Sequence, residues 1–340
     1  MQFGWRGALG IVLSVALLAW TLKDVSFPEV WQVLRASNGF YFALSSAGAT
    51  GIFLLRAYRW RPILHDVAPG AAIGPLWRST AVGMMINNVV PARAGEIARA
   101  FALTREVPRV SFAAAFASLV VDRLFDSVVL LLLLSAALVA PGFPDGVELA
   151  GRPVWQLAAT LGVISAVAGA GVALLAFAPD WIIGVFESTV GRVLPATRAP
   201  GARLLRSFAS GMGVLRSPRR FAEVFAWTLA HWLMNALAFW FGFLAVGLSL
   251  PYSAALFLQG LIAVGVAIPS SPGFFGVFEG FAKLGLGVYG VPADAAVAWA
   301  FGFHLLSYIP ITVIGAIYFA RLGLSLGQLS RQSSAPGGAS

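Results

Sequence analysis

Ionisable side chains recur inside stretches that are otherwise apolar. Arg93, Arg99, Arg123 and Lys283 are the basic members, and Glu96, Asp122, Asp126 and Glu279 the acidic ones, so the two signs balance. Charges at membrane depth are costly, and they either pair with one another or face a polar cavity. Asp122 and Asp126 stand at i,i+4 on one helix face, with Arg123 at i,i+3 from Asp126. That face is expected to point inward. Two chemistries fit: the ions hold helices together, or they line a site for an anionic group. Arginine forks take phosphate through paired hydrogen bonds, which favours a phosphate-bearing head group. A third option is acid–base work by Glu96 and Glu279, although no nucleophile–base set accompanies them. Asn87 and Asn88 either cap broken backbone or touch the same ligand.

Other chemistries lack their residues. The chain has no Cys, and its only histidines are His65, His231 and His304. No G-x-x-x-x-G-K-[ST] run occurs, so no nucleotide is expected. No catalytic residue, cofactor or metal is assigned. His231 and His304 fall in apolar runs, as buried hydrogen-bonding groups or as proton relays.

The elements that must position these residues follow from composition. Of 340 residues, 59% are hydrophobic and 11% charged, with a mean hydropathy of +0.84. A soluble domain is about a quarter charged, so this is an all-α polytopic membrane protein. Runs 7–22, 40–55, 111–140, 154–177, 224–250 and 295–320 read as full spans. Runs 80–90 and 254–268 are too short for a core of about 30 Å at about 1.5 Å per residue. Pro91 and Pro269 stop them, and runs 95–103 and 274–289 return. The expectation is six full spans plus two re-entrant half-helix hairpins.

Formal charge is +9. With both termini cytoplasmic, the basic clusters all fall on the cytoplasmic side. Anionic lipid is therefore an expected partner and nucleic acid is not. Arg56, Arg59 and Trp60 close the second run and read as interfacial lipid contacts. Arg203 and Arg206 join them, on an amphipathic surface helix over 202–220. A single domain, 1–327, is followed by a Ser/Gly/Pro-rich tail, 328–340, expected to be disordered.

Each half, about 1–140 and 154–327, reads span, span, hairpin, span. The halves start on opposite sides, which makes an inverted repeat of the kind that builds transporter sites at interrupted helices. The bends are Pro91-Ala-Arg93-Ala-Gly95-Glu96 and Pro269-Ser-Ser-Pro272-Gly273-Phe-Phe-Gly276-Val-Phe-Glu279. A head-group site between the two bends takes in Asn87, Asn88, Arg93, Glu96, Arg99, Asp122, Arg123, Asp126, Pro272, Gly273, Gly276 and Glu279.

These bends, with Arg56-Ala-Tyr-Arg59-Trp60 and Asp122-Arg123-Leu-Phe-Asp126, resemble the flippase-like family, also called the lysylphosphatidylglycerol synthase transmembrane domain family. The resemblance covers about residues 5–325. Asp122 departs from the family's usual Glu, and Phe274-Phe275 from its usual Gly-Leu. Members fused to a soluble aminoacyl-transferase domain make and flip aminoacylated phosphatidylglycerol. Without that domain, the resemblance implies a lipid translocase, flippase or scramblase, rather than a synthase. It also implies a bacterial inner membrane and a lipid partner: anionic or aminoacylated phospholipid, hopanoid or glycolipid. Two alternatives stay open: a non-transporting partner of a lipid-modifying or glycosyltransferase enzyme, and an intramembrane lipid-modifying enzyme.

Overall fold

In a bilayer core no water bonds the backbone, so an apolar chain satisfies its amides internally by forming helices. A computed structural model describes residues 5–90, 94–149, 152–195, 197–199, 201–202, 216–267 and 271–325. Arg93, Arg203, Arg206, most of the expected surface helix and the tail 328–340 lie outside the described residues. The helices are α1 (Trp5–Leu22), α2 (Phe27–Ala36), α3 (Gly39–Ile63), α4 (Ile73–Val89), α5 (Gly95–Glu106), α6 (Phe112–Leu138), α7 (Val154–Phe177), α8 (Pro179–Ser188), α9 (Val190–Val193), α10 (Pro218–Ala245), α11 (Tyr252–Ala267), α12 (Val277–Val288) and α13 (Ala293–Arg321). A short antiparallel ladder, Glu148–Leu149 with Arg152–Pro153, precedes α7.

Four helices are long and apolar enough to cross a membrane: Gly39–Ile63, Trp155–Leu174, Pro218–Ala245 and Ala293–Arg321. α6 is equally long at 27 residues, with Asp122, Arg123 and Asp126 near its middle. The chain is an all-α membrane protein.

Three boundaries differ from the sequence reading. α3 continues past Leu55 to Ile63 and carries the basic cluster with it. α4 begins at Ile73, so the first short arm is roughly 25 Å long rather than roughly 16 Å. Residues 218–220 open α10 instead of closing a surface helix, with Pro218 in the first turn, where its missing N–H costs nothing. α2 was not expected. It buries Val30, and the Ser26 N–H before it donates to Asp294 Oδ1 at 2.7 Å.

α4 and α5 form an antiparallel hairpin. Arg78 holds its open end, with Nε and Nη2 each 2.6 Å from a Glu106 oxygen. Near the bend, the Gly95 N–H donates to Asn87 Oδ1 at 2.8 Å. The arms touch at Gly83, where an added Cβ would stand 2.8 Å from Gly95 O and from Arg99 Cβ. α11 and α12 form a second antiparallel hairpin, with Gly265 against Phe281 and Gly285 against Leu258. Tyr308 of α13 joins the two bends. Its hydroxyl donates to Asn88 O at 3.2 Å, and its ring lies 5.5 Å from that of Phe275.

α3 and α10 are the central pair, and they run antiparallel: Tyr58 stacks on Trp227 at one end and Tyr41 on Phe241 at the other. Their surroundings match. α3 packs on α4 as α10 packs on α11, α4 on α13 as α11 on α6, and α5 on α6 as α12 on α13. Two main apolar cores form, each drawing on both halves. One gathers Trp60, Leu76, Leu103 and Phe125; the other gathers Phe239, Phe243, Phe278 and Trp299.

Gly83→Val overpacks the α4–α5 contact and is expected to cost about 1–3 kcal/mol. Thermal unfolding in detergent measures it, with Gly51→Val as control, since nothing lies within 4 Å of a Cβ at Gly51.

Candidate functional site

α3 presents Arg56 and Arg59 on one face, at i,i+3, toward Asp122 and Asp126 of α6. Arg59 is the hub. Its Nε lies 2.6 Å from Asp122 Oδ1, and both side chains are fully buried. Its Nη2 donates to Asp126 Oδ2 at 3.2 Å, and its Nη1 bonds Asp126 Oδ1. From α5, Arg99 Nη1 donates to Asp122 Oδ2 at 3.0 Å. The Arg99 guanidinium lies 4.1 Å from the centre of the Trp60 ring, a cation–π contact. Trp60 is itself fixed by its indole N–H, which donates to Ser118 Oγ at 2.8 Å. From α10, Trp232 Nε1 donates to Asp126 Oδ1 at 3.0 Å. Arg56 Nη2 stands 3.7 Å from Asp126 Oδ2.

The network leads outward through Arg123. Its Nη1 donates to Asp126 Oδ2 at 3.2 Å, and its Nη2 bonds Glu96 Oε1. The Arg123 side chain is 44% exposed, so the network is closed at Arg59 and open at Arg123. Arg56, Arg59, Arg99 and Arg123 face Glu96, Asp122 and Asp126, leaving one positive charge in excess. Among the described residues, Arg56 Nε, Arg99 Nε and Arg99 Nη2 are buried donors without an acceptor, and Glu96 Oε2 is a buried acceptor without a donor. Arg56, Arg99, Arg123 and Glu96 border a cavity of about 10 Å³ with Thr80, Gly83, Asn87 and Gly95. That is room for about one water.

A second polar centre sits at the other bend. Glu279 is fully buried. One of its oxygens accepts from the Gly276 N–H at 2.6 Å, and the other lies 2.6 Å from His304 Nδ1. His304 Nε2 is 2.8 Å from Gly273 O. Gly273 needs its lack of a Cβ, at φ +68 with Tyr308 pressed against it. Among the described residues, no hydrogen bond or ion pair joins this centre to the arginine network.

The structure thus divides the expected set. Glu96, Arg99, Asp122, Arg123 and Asp126 come together; Pro272, Gly273, Gly276 and Glu279 gather elsewhere. Asn87 caps backbone at Gly95, and Asn88 Nδ2 donates to Thr312 Oγ1 at 2.7 Å. Arg56, Arg59 and Trp60 are a correction. Expected at the membrane interface, they are buried at the centre of the network. The apolar run ends at Leu55, but the helix does not, and the carboxylates of α6 supply the countercharge that lets it continue inward. Trp232 and Ser118 were missed. An indole donor in an aromatic-rich span and a hydroxyl in an apolar one carry no mark of their partners.

These features define a helical membrane protein with an arginine–carboxylate network at its interior. The sequence profile of the lysylphosphatidylglycerol synthase TM region matches residues 7–315, and the chain belongs to that family. It is 28% identical over 332 residues to a UPF0104 membrane protein of Methanothermobacter thermautotrophicus, covering 91% of this chain and 92% of that one. A second UPF0104 membrane protein of that organism is 25% identical over 335 residues, covering 92% of this chain and 91% of that one. Glycosyltransferase AglD of Haloferax volcanii is 26% identical over 336 residues, with 91% of this chain matched to 53% of that protein.

Arg59→Met strips Asp122 and Asp126 of their shared partner and is expected to cost about 3–5 kcal/mol. Arg123→Met, at the exposed end, is expected to cost about 1 kcal/mol or less. Thermal unfolding of both in lipid nanodiscs checks the order, and equal losses contradict Arg59 as hub.

Proposed function

We propose that the chain is a lipid translocase, a flippase or scramblase, that moves a phosphate-bearing head group past the arginine network. One observation carries this reading: Arg56 and Arg99 are buried at a cavity with guanidinium donors that, among the described residues, no protein group accepts. Buried donors left unpaired are costly, and the surrounding ions hold one positive charge too many. An anionic oxygen group answers both deficits at once. Arg93, three residues before Glu96, is proposed as a further contact at the bend.

The matching neighbours of the two halves support an inverted repeat. An operation that exchanges antiparallel α3 and α10 has its axis across them, in the membrane plane. α4–α5 and α11–α12 then enter from opposite faces as re-entrant hairpins, between six full spans, and both termini lie in the cytoplasm. Irregular backbone at such bends is tolerated where protein or a cavity covers it. The present cavity is too small for a head group, so passage requires the α4–α5 hairpin to move away from α3 and α6. Lipid partners with phosphate, including glycolipid phosphates and aminoacylated phospholipids, share this chemistry.

A second reading is a membrane partner of a glycosyltransferase, favoured by the match to about half of AglD. Flipping by the purified protein alone separates the two.

In vesicles holding fluorescent phosphatidylglycerol, Arg99→Gln and Arg56→Gln are each expected to slow head-group exposure about tenfold while folding persists. Unchanged rates in both would discard the site. Single cysteines, in a chain that has none, report topology. A thiol at Arg61 is expected to react from the cytoplasmic side and one at Asp145 from the opposite side.

A further inference from the structure

The two hairpins are fastened by the same device built from different ions. In the first, Glu96 in the first turn of α5 is held by Arg123 of α6. In the second, Glu279 in the first turn of α12 is held by His304 of α13. α6 and α13 are the corresponding helices of the two halves. Arginine keeps its charge at all working pH values, whereas histidine does not.

The hydrogen-bond inventory of the second clasp requires a proton. Gly273 O is only an acceptor, so His304 Nε2, 2.8 Å away, carries a hydrogen. A neutral imidazole has no second one. The 2.6 Å contact between Nδ1 and Glu279 Oε1 then needs one more, on either the nitrogen or the oxygen. If that proton leaves for water, a lone pair faces a carboxylate. Turning to the other tautomer restores the Glu279 bond but sets a lone pair against Gly273 O. Either way one of the two bonds that fasten the bend is lost. We propose that Glu279 and His304 form a proton-binding site whose single proton holds the second hairpin closed, while fixed charge holds the first.

Among the described residues, no other ion shares the clasp. Lys283, one turn beyond Glu279, points to Thr21 O at 2.9 Å and to the Trp20 ring. Tyr308, one turn beyond His304, gives its hydrogen to Asn88 O. α1, α4 and α10 bring Ser14, Asn88 and Phe239 to the neighbourhood, and α3 brings Ser46 to Leu306 O. Glu29 of α2 sits with Asp294, at the far start of α13. Phe275 and Phe278 enclose the imidazole, each ring 4.5 Å from it. Among the described residues, Asp122 and Asp126 each have arginine partners, whereas Glu279 has none.

Glu279→Gln isolates the proton. The Gln amide donates to Nδ1 and its oxygen accepts from the Gly276 N–H, so every bond forms without a titrating hydrogen. Amide hydrogen exchange of the full chain in nanodiscs, corrected for the chemical rate, tests this at about pH 6 and about pH 9. In the wild type, protection over 271–280 is expected to fall about tenfold at the higher pH, while 95–106 stays unchanged. In Glu279→Gln, protection over 271–280 is expected to be the same at both. Wild-type protection that does not change, or a variant that keeps the wild-type pH dependence, overturns the proposal. Should the variant fold poorly, NMR of wild type labelled at both the histidine nitrogens and the glutamate carboxyl carbons decides. Two protonated His304 nitrogens or an acidic Glu279 at low pH, and neither at high pH, support it; one unchanging state refutes it. None of these readouts requires lipid movement, so their failure leaves the translocase reading standing.

Discussion

An ion cannot be left alone where water is absent, and this constraint organises the protein. Arg59 lies between Asp122 and Asp126, wholly buried. Three helices meet there because each supplies a charge that the others cannot do without. α3 brings Arg56 and Arg59, α6 the two aspartates, and α5 Arg99. Replacing a buried ion pair by apolar groups is often harmless, so such a network is weak support for stability. In the proposed function, its presence in an apolar chain reflects an anion that the arginines receive. The graded exposure, from Arg59 to Arg123, runs in the direction such a ligand would travel.

The two hairpins meet this constraint differently. The first lies against the arginine network, and its arms close on Gly83 and the Arg78–Glu106 pair. The second is fastened by Glu279 and His304, away from the network. Tyr308 touches both bends. α4 also packs directly on residues 272–274 of the second bend, so opening one hairpin would be felt at the other. An inverted repeat with one clasp of fixed charge and one that takes up a proton would have two halves of equal shape and unequal response.

Much of the fold was legible from apolar runs and their interruptions. The Pro91 and Pro269 breaks marked both hairpins, and Asp122, Arg123 and Asp126 declared an inward face by their spacing. Arg56, Arg59 and Trp60 were misplaced because a cationic pair after an apolar run looks the same whether the chain leaves the membrane or meets countercharge inside it. Only the tertiary partner, some sixty residues on, distinguishes the cases. α2 was lost because a ten-residue helix with mixed polarity has no apolar run to announce it. The sorting of Glu279 away from Glu96 was also hidden: their motifs are alike, and only His304 against Arg123 sets them apart.

The central claim is that Arg56 and Arg99 receive an anionic oxygen group. The most direct measurement is an experimental structure in nanodiscs of phosphatidylglycerol, compared with one in nanodiscs of uncharged lipid. The account predicts a phosphate within hydrogen-bond reach of Arg99 Nη2 and Arg56 Nε in the first, with the α4–α5 hairpin displaced from α6. An arginine network identical in both, with those donors bonded to protein or water and no lipid group beside them, would contradict it.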